Sequence, residues 1–520
     1  MKRIEMQKGQ ILAILALAMV VLLGFTAVAV DGSRVYNQRR QDQATADSTA
    51  LSYAYQIAKA GFTCPTNGVP NISPITTTTG TTTVTTTYPS CTSTPDNTTV
   101  NIHTVVASTV NTFFLKAITN QPTSTTADAV AKATIGNGPY MGGDTLVAMG
   151  TDCSGSASSS TIGGIYTSGN AKITGAGGGI YSNSCLSTAN SGTTITDTGG
   201  TITYMTTVTN PQWISPTPVL STTKITAPPI PVDDPPSPPT CDATSLGNIT
   251  VNPSGGTIYP GTYDSLTWGS NGVGDLTLSP TKPNGTKGVY CIGGSFSPGN
   301  GAANVIMNGV TLYFTGTGGL TATGSIATQL DNSVVYITNG DYAPAQRTWT
   351  ASNSKVYIKK GNYIQGGSVA VTMNNSSVYL SEGNFDNGNG GFTAHNFTVI
   401  IRKGDFLLHN GAYGVDMSAP NCNDSTCGVG PSIQGVLVWM DPAYSHNFNI
   451  DNGNGGHQLN GTIYAPTAIG AMTGGTSTKI IQAQLILQKL SMTNGGILNL
   501  STVGATLYQT GGTTSIDLLK

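Results

Sequence analysis

The sequence predicts a mainly β protein: an N-terminal transmembrane and stalk helix, a small α+β region, then a parallel β-helix, expected to be right-handed. Three observations predict it. Residues Ile11 to Val30 are one uncharged apolar run. Only 9% of the 520 residues are charged while Gly (66) and Pro (27) abound, and hydrophobic residues still reach 38%, which is a turn-rich β composition and not charged disorder. The C-terminal half repeats with a period of 21 to 23 residues.

The N-terminal run comes first. Twenty apolar residues rising 1.5 Å each cover about 30 Å, the hydrocarbon thickness of a bilayer. Lys2, Arg3 and Lys8 precede it and Arg34, Arg39 and Arg40 follow it, so flanking charge sets no orientation. The low charge, the cysteines and the Thr-rich tract Thr76 to Thr87 suit the outside of a cell. The expected location is therefore the cell membrane, crossed once, with residues 1–10 cytoplasmic, 11–30 spanning and the bulk of the chain extracytoplasmic. A cleaved signal peptide is the competing reading, because Ala27-Val28-Ala29 fits a cleavage site. Against it, the run exceeds a usual signal core and a helical pattern continues from Arg34 to about Ala60, stopping at Gly61 with Pro65 beyond.

Eight cysteines fall as neighbours: Cys64 and Cys91, Cys153 and Cys185, Cys241 and Cys291, Cys422 and Cys427. An even number without CxxC reads as disulfides in an oxidising compartment, with buried thiols as the alternative; connectivity stays open. A net charge of −2 leaves no footprint for nucleic acid.

The stretch from Lys8 to Ala54 carries a resemblance. Gly9-Gln10 precede the apolar run, Gly24 lies within it and Ala29-Val30-Asp31-Gly32 end it. Arg34, Tyr36, Arg39 and Arg40 follow, then Gln43-Ala44 and Ala46-Asp47 leading into Ala50-Leu51. This order and spacing resemble the N-terminal region of Tad-type, TadG-like proteins of Flp pilus assembly, and the likeness extends toward residue 135. The resemblance implies an uncleaved anchor with a helical stalk, and pilus-assembly proteins as partners. A prepilin of this type would carry Glu five residues after Gly9, where Ile14 stands, so a processed pilin subunit is not expected. Metal-dependent adhesion through the DxSxS of the von Willebrand-type domain that many TadG-like proteins carry is not expected either.

Beyond the stalk and small α+β region (31–135), residues 136–208 form a Gly/Ser/Thr-rich β region that reads as first solenoid rungs. Residues 209–240 are a Pro-rich linker, a stiff extended crossing. Residues 241–520 are the parallel β-helix. There Gly294, Gly340, Gly361, Gly383 and Gly404 share a turn column, with Thr317 as a weaker copy, at steps of 23, 23, 21, 22 and 21. Five residues before this column stand Val289, Leu312, Val335, Val356, Val378 and Val399. Three before it stand Cys291, Phe314, Ile337, Ile358, Leu380 and Ile401. Two after it stand Phe296, Tyr342, Tyr363, Phe385 and Phe406, with Gly319 breaking the series. Alternate positions share one face of a strand, so these columns are the inner wall. One strand cannot bury such a wall; stacked rungs at about 4.8 Å can.

Four residues before the turn stand Tyr290, Tyr313, Tyr336, Tyr357 and Tyr379, alternating with the wall and hence facing out. They read either as a surface-binding stripe, for instance for surface polysaccharide, or as a ladder that stiffens the sheet beneath another segment. Parallel β-helices also host polysaccharide lyases and hydrolases, which need convergent carboxylates. Only Glu5 and Glu382 are glutamates. Glu382, Asp341 and Asp405 lie beside the turn column, near Lys359, Lys360, Arg402 and Lys403, where solvated charge is the plainer reading. His103, His395, His409, His446 and His457 lack metal-ligand spacing. Asp441, Asp451, Asn452 and Asn454 could ligate calcium or simply be polar turns. The expectation is a non-catalytic surface protein without cofactor or metal, tied to Tad-like pilus assembly or adhesion; a carbohydrate-active β-helix enzyme is the alternative.

Overall fold

The computed structural model describes residues 8–519 except 61–63, 66–67, 94–96, 137–139, 154–162, 252–253, 269–273, 298–303, 322–326, 345–347, 367–369, 389, 410–413, 422–431, 452–455, 474–477 and 509–511. Residues 1–138 with 509–520 form one compact unit and residues 139–508 another.

The smaller unit joins helix α1 (Lys8–Ala60) to an antiparallel sheet of β1 (Ile75–Thr79), β2 (Thr82–Ser93), β3 (Asn97–Val110), β4 (Thr123–Gly136) and β5 (Gly512–Leu519), in that spatial order. A short helix α2 (Phe114–Thr119) connects β3 to β4. Ala46, Ala50 and Ala54 recur every four residues on one face of α1 and are fully buried against Val100, Ile102, Val106, Ala129, Ala131 and Ala133. Asp42, on the same face and buried, accepts from Ser108 Oγ (2.7 Å), Gln38 Nε2 (2.9 Å) and Thr125 Oγ1. A buried carboxylate is tolerable only when so satisfied, and it pins the helix to the sheet. The first half of α1 is different. Leu17, Leu22 and Phe25 are 70%, 66% and 72% exposed, and the helix is long and apolar enough to cross a membrane. The C-terminal strand corrects the expectation that 241–520 is all solenoid: Val130 pairs with Leu519 and Ala133 with Ile516, so β5 closes the edge of the small sheet.

The larger unit is a parallel sheet wound through three faces. Ala327–Asp331, Val334–Ile337 and Tyr342–Ala343 make one rung, which pairs in parallel with Trp349–Ser352, Lys355–Ile358 and Tyr363–Ile364 of the next. The wall columns read from sequence lie inside: Leu312, Val335, Val356, Val378 and Val399 are fully buried, as are Phe314, Leu380 and Ile401. Rings stack up one face, from Tyr342 to Tyr363 (5.6 Å between centroids), Phe385 (4.5 Å), Phe406 (5.2 Å) and Phe448 (5.2 Å). The turn glycines are dictated by geometry. Gly361 and Gly383 sit at φ +132° and +147°, and a Cβ there would lie 1.9 and 1.7 Å from the carbonyl oxygen of the rung above.

Two corners depart from the sequence alignment. Tyr290 pairs with Leu312, and Cys291 with Tyr313, so Tyr290 belongs to the inner wall and Cys291 faces out. A one-residue slip exchanges the two faces of a strand. Likewise Leu320, not Gly319, pairs with Phe296 and Tyr342, so a longer corner restores the inner series.

The corners also hold ladders beyond those columns. Asn362 N–H donates to Asp341 (2.7 Å), Asn384 N–H to Asn362 (2.8 Å), Asp405 N–H to Asn384 (2.8 Å) and Asn447 N–H to Asp405 (2.7 Å). Each side-chain oxygen takes the amide of the next rung. At another corner Asn332, Asn353, Asn375 and Asn396 adopt positive φ, which Asn tolerates better than most residues.

The stacking order is not the chain order. Leu485–Leu487 pairs with Leu146–Ala148, Lys489–Met492 with Gly164–Thr167, and Ile497–Ser501 with Lys172–Ala176. The Gly/Ser/Thr-rich segment thus supplies rungs that follow the C-terminal ones in space, although it precedes them in sequence. The Pro-rich segment must then return along the solenoid. It does so extended over the outward stripe: Ile225 exchanges hydrogen bonds with Asn183 (2.7 and 2.9 Å), Ile230 O accepts from Trp439 Nε1 (3.1 Å), and Cys241 is bonded to Cys291. Some twenty extended residues reach about 60 Å, enough for a stack of about a dozen rungs at 4.8 Å.

Candidate ligand groove on the solenoid

The outward column runs Tyr313, Tyr336, Tyr357, Tyr379, Ile400, Trp439, Tyr464, Ile486, Val147 and Tyr181 in successive rungs. The strap decides what each does. From Tyr357 onward the column is buried, and from there to Val147 it packs with Ile230, flanked by Ile225 and Val232. Tyr313 and Tyr336 stay half-buried, because here the strap turns to Pro235, Pro236, Ser237 and Pro238 and stands off from the sheet.

Between that polyproline rim and the tyrosines lies a groove of about 1090 Å³. Its floor is Tyr313, Tyr336 and Tyr357; the Tyr336 and Tyr357 rings stack at 5.1 Å. Burial, then the neighbouring Tyr336, pushes the Tyr357 phenol up to about 12, so the floor stays neutral and able to donate. Its other wall carries Lys359, Lys360, Glu382, Arg402 and Lys403. Arg402 closes one end. It reaches Asp234 (2.9 Å) and Val232 O (3.2 Å) on the strap, Asp441 (3.1 Å) and Tyr379 Oη (2.7 Å) on the rungs, and covers the Trp439 ring at 5.1 Å. Arg402 therefore satisfies both aspartates in the groove. Lys403 meets Glu382 only at 4.0 Å. Lys359 and Lys360 are exposed and have no ion pair among the described residues.

Of the five stripe tyrosines, Tyr313, Tyr336 and Tyr357 form the floor, Tyr379 lines its end beneath the strap and is buried there, and Tyr290 lies inside. Cys64–Cys91, Cys153–Cys185 and Cys241–Cys291 are disulfides; Cys422 and Cys427 lie outside the described residues, as do Asn452 and Asn454. Asp441 is taken by Arg402 and Asp451 by His409 (3.0 Å). Asp341 and Asp405 serve the corner ladder. Among the described residues no cluster of three His, Cys, Asp or Glu could hold a metal ion. The DxSxS string does occur once, as Asp152-Cys153-Ser154-Gly155-Ser156, which corrects the expectation of its absence. Its Cys153 is bonded to Cys185, and Ser154 to Ser156 lie outside the described residues.

A carboxylate pair, buried Asp197 and half-buried Asp144, lies elsewhere, in the Gly/Ser/Thr-rich rungs. Burial, followed by the charge of Asp197, pushes Asp144 up to about 6, and burial raises Asp197 as well. Gly199 N–H donates to Asp197 at 3.2 Å. Nothing in the spacing of these two aspartates marked them as neighbours.

Residues 9–56 match the family model described as putative Flp pilus-assembly TadE/G-like. No curated protein and no solved structure matches the chain. The matched segment contains the exposed apolar half of α1 and the Ala46/Ala50/Ala54 face that seats the sheet. Residues 9–56 are therefore a TadE/G-like Tad domain, and with the apolar helix they support a membrane-anchored, pilus-related protein.

Proposed function

We propose that this is a non-catalytic adhesion component of a Tad-type pilus system, held by α1 with its bulk extracytoplasmic, and that its solenoid binds acidic surface polysaccharide in the groove beneath the strap. The observation that carries the ligand reading is the pairing of a tyrosine floor, half-buried Tyr313 and Tyr336 beside buried Tyr357, with Lys359 and Lys360, which have no ion pair among the described residues. Aromatic faces stack on the apolar faces of sugar rings, and ammonium groups on a flexible stem attract carboxylates without demanding one geometry. The orientation rests on the disulfides, which belong to oxidising compartments. The non-catalytic reading rests on the engagement of Asp234 and Asp441 by Arg402, which leaves Glu382 without a second free carboxylate in the groove.

The test is calorimetric titration of the full chain in detergent with polygalacturonate and with neutral dextran. Binding to the acidic polymer alone, weakened about tenfold or more by Lys359→Ala with Lys360→Ala, is expected. Equal binding of both polymers, or of neither, refutes the ligand. Appearance of unsaturated uronate or new reducing ends would instead establish the enzyme.

A further inference from the structure

Helix α2 is an exposed apolar element tied to the end of the membrane-compatible run. Asp31 immediately follows Val30 and is fully buried. Its carboxylate accepts the backbone N–H groups of Phe113 (3.1 Å), Phe114 (2.7 Å) and Leu115 (2.8 Å). These are donors that a helix start leaves without intrahelical partners. The bonds hold α2 at one height along α1, beside the last turn of the apolar run.

What α2 presents there is unlike a soluble surface. Phe113, Phe114 and Ile118 are 68%, 50% and 81% exposed, within six residues of one another. Single exposed apolar residues are ordinary, but a contiguous group marks a contact surface. Lys116 lies among them, exposed, and Arg34 of α1 covers the Phe113 ring at 4.7 Å. Aromatic rings accompanied by long basic side chains suit the boundary between acyl chains and headgroups, where rings partition and cations snorkel to phosphate. The last turn of the apolar run of α1 is itself exposed, with Val28 and Val30 at 56% and 42%.

We propose that α2 is a second membrane contact, a foot whose Phe113, Phe114 and Ile118 enter the outer-leaflet interface while Asp31 fixes its height on the anchor. The proposal rests on the reading of Ile11–Val30 as a spanning segment. A foot beside the helix would restrict tilting and rotation of α1, which a lone span leaves free.

The experiment reconstitutes the full chain in phospholipid vesicles with an environment-sensitive fluorophore at Ile118→Cys or at Leu17→Cys, with the unsubstituted protein correcting for native cysteines. Both positions are exposed, so neither substitution disturbs packing. Lipids bearing a nitroxide near the headgroup should remove most of the fluorescence at position 118, and lipids bearing it deep in the chain should do so at position 17. Asp31→Ala should reduce quenching at 118 and leave 17 unchanged. Quenching at 17 without quenching at 118 overturns the foot and leaves the anchor standing; no quenching at either overturns the anchor reading itself. Shielding of 118 that follows protein concentration instead of nitroxide lipid assigns this face to a second copy of the chain, and also overturns the proposal.

Discussion

The solenoid has two interiors on one backbone plan. Between Tyr342 and Phe448 the inner column is filled by stacked rings, and Tyr363, Phe385 and Phe406 are fully buried. Between Asp144 and Ser215 the same positions hold Ile, Leu and Ala, and buried polar groups crowd beside them: Thr145, Thr167, Ser182, Asn183, Ser184, Thr188, Thr193 and Asp197. Large rings fill a rung by area and need few partners. Small polar residues fill less and call for hydrogen bonds, as Thr145 Oγ1 makes with Gly179 O (2.9 Å), while Ser184 Oγ and Asp197 Oδ2 find none among the described residues. One half is thus filled by rings and the other by Ile and Leu with buried polar groups beside them, and the halves should fail differently.

The strongest test of that contrast is Phe385→Ala. It empties a position clasped between Tyr363 and Phe406 and should cost about 3–5 kcal/mol, read as a lower denaturation midpoint at every pH. If the loss were below about 1 kcal/mol, ring stacking would not be what holds the aromatic half. Next comes Cys291→Ser, which opens the disulfide closing a span of 50 residues between strap and rung. A stability loss of up to about 4 kcal/mol is expected, with faster proteolysis within residues 221–240. Unchanged cleavage would show that Arg402 and the Trp439 contact hold the strap without the clip.

The smallest effect separates the halves by pH. Asp144 has a folded value of about 6 against an ordinary 3.8, so the folded state holds the proton more tightly. Its stabilising contribution is complete below the unfolded value and disappears as pH rises through about 6. The polar rungs should therefore be more stable at acidic than at neutral pH by up to about 3 kcal/mol, and Asp144→Asn should flatten the profile. A profile that stays sloped in this variant would point to Asp197 as the dominant group.

Legibility differed in the same way. The aromatic half announced itself because rings, branched aliphatics and turn glycines recur at a nearly fixed step. Corner asparagines such as Asn353 and Asn375 recurred too, and could have been found by the same alignment. The polar rungs showed only short strands, since a Ser or Thr inside looks like one outside. In the candidate groove, the tyrosines and lysines were visible as a stripe and a charged patch. Their meeting was not, because the polyproline rim that makes them a groove comes from more than seventy residues upstream of Tyr313.

By itself, the sequence determined the anchor, the Tad motif, the solenoid period and the composition of its inner wall. Each is written in local spacing, and spacing alone settles which side chains share a face. Tertiary structure decided what was joined across distance. It put residues 144–215 after residue 501 in the stack, turned the Pro-rich linker into a strap, moved Tyr290 inward and Cys291 outward, and sent β5 back to the small sheet. Parallel strands pair through backbone groups common to every residue, so sequence can announce that an edge exists but not which strand will cover it.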